Sequence, residues 1–103
     1  MKSVDSKIEV TKERLDKYIK LTETALKKAK IKKTVSDHDK KRFAAFKDFC
    51  ERYLSDAKHF MKQGDYVTAF AALNYAHAWM DAAAIAGWIT VKDKNKNKFI
   101  AMD

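Results

Sequence analysis

The chain contains no proline and only two glycines, Gly64 and Gly87, so nothing intrinsic breaks a helix ahead of residue 64. Its one cysteine, Cys50, excludes an internal disulfide. No stretch near the start has the charged, apolar and small-residue order of a secretory signal, and a reducing cytoplasm is the expected compartment. Acidic charge is also scarce: 14 Asp and Glu face 22 Lys and Arg, a formal net charge of +8 over 103 residues. That length supports one core, and a single helical domain over residues 1–103 is expected.

The positive charge is unevenly placed. Residues 1–42 hold 14 basic and 7 acidic side chains, residues 43–87 hold 4 and 5, and residues 88–103 hold 4 and 2. From Tyr66 to Val91 the one charged side chain is Asp81. Thr68, Asn74, His77 and Asp81 interrupt that run and much of the rest is alanine, so a core helix is expected and a membrane partner is not. A helix apolar nearly all round needs cover on more than one side, from its own chain or from a second copy.

Three helices are predicted. The first spans about 5–30, where Ile8, Thr11, Leu15, Tyr18, Ile19, Thr22, Ala25, Leu26 and Ala29 recur at three- and four-residue steps. The second spans about 36–63, capped by Ser36, with a stripe of Phe43, Phe46, Cys50, Tyr53, Leu54, Ala57, Phe60 and Met61 and with Phe49 beside it. Gly64 ends it and Asp65 caps the third, about 66–86, closed by Gly87. So short a connection makes the second and third helices antiparallel. On the third helix the line Tyr66, Phe70, Leu73, His77, Met80 and Ala84 is expected to face the aromatics of the second. The opposite line, Thr68, Ala71, Ala72, Tyr75, Trp79 and Ala82, is uncharged, and Tyr75 and Trp79 on it await cover by the first helix or by another subunit. Residues 88–103 read as a short β-hairpin, 88–91 turning back through 99–102, or as a tail. The fold class is all-α: a three-helix bundle built on an antiparallel helical hairpin.

The stretch Arg52-Tyr53-Leu54-Ser55-Asp56-Ala57-Lys58-His59-Phe60-Met61-Lys62-Gln63-Gly64-Asp65-Tyr66, continuing through Asn74-Tyr75-Ala76-His77-Ala78-Trp79-Met80-Asp81-Ala82, closely resembles the archaeal domain-of-unknown-function family 357. The resemblance implies a small helical protein from an archaeal source and carries no catalytic residues with it. Gly-Asp-Tyr-x-x-Ala between two helices is also similar to a tetratricopeptide hairpin, but no second copy recurs at a period near thirty-four.

Arg52 and His59 resemble the arginine–histidine pair of HEPN-type RNases, although a spacing of seven sets them two turns apart on one helix. Arg52, His77 and Asp81 form a candidate polar pocket if the antiparallel hairpin brings them together, with Lys47 nearby; a satisfied buried network is the plainer reading. His38, His59 and His77 fall in different elements and no pair has ligand spacing, so no metal is expected. No phosphate-binding glycine loop and no serine-centred triad is present, and neither a catalytic residue nor a cofactor is expected. Lys32, Lys33, Lys40, Lys41 and Arg42 form a candidate nucleic-acid rim, the last three at a helix start, the wrong end for positive charge. No aromatic interleaves the rim to stack on bases. The expected role is a non-catalytic protein-interaction or self-association module. Non-specific RNA or DNA association is the alternative, and a HEPN-like RNase or ligand-binding domain the third reading.

Overall fold

The structure, a computed structural model, describes residues 10–91. Helix α1 runs Lys12–Lys28, strand β1 Ala29–Ile31, helix α2 Asp37–Lys62, helix α3 Tyr66–Ile85 and strand β2 Ile89–Val91. The three-helix, all-α architecture is the one the sequence predicts, with a short antiparallel strand pair near the C-terminal end.

Each helix begins on a side chain that accepts a backbone N–H. Thr11 Oγ1 accepts from Arg14 N at 3.2 Å, Ser36 Oγ from Asp39 N at 3.1 Å and Asp65 Oδ1 from Thr68 N at 3.2 Å. The two glycines finish two of the helices in the same way. Gly64 and Gly87 both have φ of 80°, and the following N–H groups reach back, Asp65 N to Phe60 O at 3.0 Å and Trp88 N to Ala83 O at 3.1 Å.

The first helix differs at both ends from its predicted span of 5–30. Thr11 is extended and caps it, so α1 starts at Lys12; residues 5–9 lie outside the described ones. At the other end Ala29 leaves the helix with ψ of 126°, because residues 29–31 pair antiparallel with β2, Ala29 opposite Val91 and Ile31 opposite Ile89. Lys32 N donates to Trp88 O at 2.9 Å and extends the ladder. Residues 88–91 were predicted to turn back through 99–102, an arm outside the described residues. A two-stranded ribbon is marginal alone, and this one is anchored by buried Ile89 and by Trp88, whose ring centre lies 5.0 Å from that of Phe46.

Helix α3 is the hub. It packs extensively along α2, less along α1, and α1 and α2 touch little. Ala69, Leu73, Ala76, Met80 and Ala83 are fully buried along it, joined by Leu15 and Thr22 from α1 and Cys50 and Ala57 from α2. The alanines bring the backbones close, and burial pushes the Cys50 thiol up to about 12, with Glu51 adding to it; this thiol is inert packing.

The sides of α3 are assigned differently from the sequence expectation. Trp79 meets α2, its ring centre 4.8 Å from Phe49 and 4.9 Å from Phe46, and Tyr75 stacks on Tyr53 at 5.3 Å. Phe70 turns instead to Tyr18 of α1, ring centres 6.1 Å apart. So it is the second helix, not the first, that Tyr75 and Trp79 meet: Trp79 is half-buried against it, while Tyr75 stacks on it and stays 60% exposed. Flat rings on both partners meet in the α2–α3 seam, while Phe70 and His77 take the side of α3 that faces Tyr18 and Thr22 of α1.

Candidate functional site

Three places bear on function: a buried polar cluster, the basic rim and the outer side of α3. The cluster lies between α1 and α3. Thr22 is fully buried and His77 is 2% exposed; Thr22 Oγ1 sits 3.4 Å from His77 Nδ1, and His77 Nε2 sits 3.4 Å from Asp81 Oδ1. The threonine hydroxyl donates to Tyr18 O at 2.9 Å. Its one proton is thereby committed, which leaves Oγ1 an acceptor towards Nδ1 and places a hydrogen on that nitrogen. Nε2 and Oδ1 then face each other across 3.4 Å. Burial raises the Asp81 carboxyl from its ordinary 3.8 to about 7, so near neutrality the carboxyl is in part protonated.

Of the predicted pocket, His77 and Asp81 come together, one turn apart on α3, and Arg52 does not join them. Arg52 points outward, its side chain 73% exposed and its Nε 2.9 Å from Asp48 Oδ2, four residues back on α2. The sequence reading missed Thr22 as the third member, since nothing local marks a contact 55 residues away. A cavity of about 600 Å³ lies elsewhere, in the cleft where α1 and α2 splay, lined among others by Leu26, Lys27, Lys47, Glu51, Leu54 and Ser55. Arg52, His77 and Asp81 take no part in its lining. His59 is exposed and lies edge-on to Phe60. The seven-residue spacing to Arg52 amounts to about 10 Å of helix rise, and the two side chains have different neighbours.

The five rim residues gather around one turn, Lys32 and Lys33 after β1 and Lys40, Lys41 and Arg42 in the first turns of α2. Lys40 Nζ lies 3.9 Å from Asp37 and Arg42 Nη1 lies 3.8 Å from Asp39. Acids in the first turn thus shield two of the three cations placed at the unfavourable end of the dipole. Among the described residues no three His, Cys, Asp or Glu side chains gather as a metal site, and no helix is long and apolar enough to cross a membrane.

Among the described residues no helix packs against the third side of α3, and the one charge near it is Asp81, whose side chain is 20% exposed. Val67 is 73% and Ile85 74% exposed at its two ends, with exposed Ala71, Asn74 and Ala78 between them. Tyr75, 60% exposed, borders it.

Fold and surface define a small helical bundle in which, among the described residues, one side of α3 is exposed. The family described as Protein of unknown function (DUF357) matches residues 17–89, most of the chain, and the chain belongs to that family. No curated protein and no solved structure matches it.

Proposed function

We infer that the chain is a non-catalytic association module that offers the third side of α3 to a protein partner. The observation that supports this is the uncharged row Val67, Ala71, Asn74, Ala78 and Ile85, exposed on a helix whose other two sides are packed. Contiguous, largely apolar surface left exposed on a folded domain marks a contact site. The test is a photo-crosslinking residue at position 78, compared with the same residue at Lys62. Adducts from position 78 and none from position 62 are expected; no adduct from position 78 would overturn the reading.

A second reading rests on the rim. Lys33 and Lys41 are exposed beside Lys32, Lys40 and Arg42, a cluster suited to phosphate contact without sequence preference. Binding of generic duplex DNA or RNA should then fall steeply with salt and drop further in Lys40→Glu/Lys41→Glu. Binding absent at low salt, or unchanged by the reversal, would remove this reading.

A further inference from the structure

We propose that the cleft between α1 and α2 is a binding site for a small organic monoanion with an apolar body, a medium-chain carboxylate being the simplest member of that class. The site is independent of the association surface and of the basic rim, and Arg52, His77 and Asp81 take no part in it. Its size, the pairing of its charges and its floor carry the assignment.

The cleft exists because α3 holds both helices while α1 and α2 touch little, and because Ala29 turns out of α1 into the ribbon instead of adding a further helical turn against α2. Its volume of about 600 Å³ falls within the range of small-molecule sites. On α1 the lining runs from Glu23 to Ala29, about 9 Å of helix rise, and on α2 from Lys47 to Lys58, about 16 Å. So short a trough suits a small molecule, not a helix or a nucleic-acid duplex.

Charge sorts the occupant. Glu23 on α1 and Lys58 on α2 form an ion pair across the cleft, so both are already engaged. Lys27 lies one turn further along α1 and Lys47 about three turns back along α2 from Lys58, one on each wall. Among the described residues neither ammonium has an ion-pair or hydrogen-bond partner. An anion set between the walls answers both. Lys27 also lines a second hollow of about 440 Å³ with Thr24, Lys28 and Lys30, so positive charge gathers on the α1 wall and the anionic head belongs beside it. The remaining charge is Glu51, and three lysines against two glutamates leave the lining a net charge of +1. One negative charge balances that; the several charges of a polyanion would meet both carboxylates.

The body of the ligand follows from the floor. Leu26 and Ala29 are half-buried and Leu54 is buried, and these are the apolar members of the lining. A hydrocarbon chain laid on them removes the water that Leu26 and Ala29 still meet.

The experiment is an amide-resolved NMR titration of the full chain with decanoate below its micelle concentration, beside acetate and decylammonium, on wild type, Lys27→Gln/Lys47→Gln and the rim variant Lys40→Glu/Lys41→Glu. All four lysines are exposed, and thermal melts check that both variants keep the fold. Saturable binding of decanoate is expected, with shifts centred on Leu26, Ala29, Leu54 and Ser55. Lys27→Gln/Lys47→Gln should weaken it about tenfold or more, while the rim variant should bind as wild type does. Acetate, which lacks the body, and decylammonium, which reverses the charge, should each bind at least about tenfold more weakly. Decanoate that does not saturate, that binds no better than decylammonium, or that shifts the exposed row of α3 in place of the cleft overturns the proposal. So does indifference to Lys27→Gln/Lys47→Gln, or a loss in the rim variant as large as in the cleft variant.

Discussion

The two seams that hold α3 are built from opposite materials. Against α2 it presents rings, Trp79 on Phe46 and Phe49 and Tyr75 on Tyr53. Against α1 it presents Phe70, on Tyr18, and a polar group in which His77, beside Asp81, meets Thr22 of α1. The aromatic seam gains from buried area and ring contact, neither of which changes with pH. The polar seam depends on where protons sit. One face of this bundle is therefore a fixed hinge plate, and the other has a stability that titrates.

Truncating the aromatic seam should have the largest effect. Trp79→Ala removes two ring contacts and leaves a void, at a cost of about 3 kcal/mol, a sizeable share of the stability of so small a fold; chemical denaturation measures it. Thr22→Val is nearly isosteric and strips the polar seam of its hydroxyl, which should cost about 1–2 kcal/mol. If Thr22→Val proved as damaging as Trp79→Ala, the contrast between the seams would be wrong.

Asp81→Asn addresses the titration itself. The folded-state carboxyl is raised from 3.8 to about 7 by burial, so the folded chain holds a proton that the unfolded chain has already lost. Stability linked to Asp81 is then fully present below about pH 4, declines as pH rises towards 7 and stays lost above it. The amide does not ionise. Melting of Asp81→Asn should match the wild type near pH 4, lack this decline and lie above the wild type at pH 8; identical pH slopes for both would refute the assignment. Tyr75→Ala should matter least. With 60% of that residue already in water, a loss of under about 1 kcal/mol is expected from the single stack on Tyr53.

Much of this fold is written locally. Ser36, Asp65, Gly64 and Gly87 are cap and stop signals whose effect is confined to a turn of chain, and the observed boundaries of α2 and α3 fall on them. What could not be read locally is what depends on partners far along the chain. Ala29 and Ile31 continue the helical period of α1, and they leave it because Ile89 lies opposite Ile31 in the ribbon. The alternation of Ala29-Lys30-Ile31 matching Ile89-Thr90-Val91 was the available clue. Helix α3 is apolar in every direction, so its period says that it is buried without saying which side meets which helix; its assignment to α1 and α2 was reversed for that reason. Arg52 was placed with His77 on the strength of antiparallel pairing, although Asp48 four residues earlier offered it a nearer, solvent-exposed partner. Placing Asp81 beside His77 succeeded because that pair needs only one turn of helix.

Association through α3 requires two covered sides and one open one, and two alanines two residues apart separate those sides. Ala76 is fully buried, whereas Ala78 is exposed. Thermal melts of Ala76→Glu and Ala78→Glu at low micromolar concentration test this directly. Glutamate at 76 must carry a charge into the packed interior and should leave the chain unfolded at room temperature. At 78 it should alter stability by no more than about 0.5 kcal/mol, a shift of a few degrees. Equal collapse of the two variants would mean that the third side of α3 is not open.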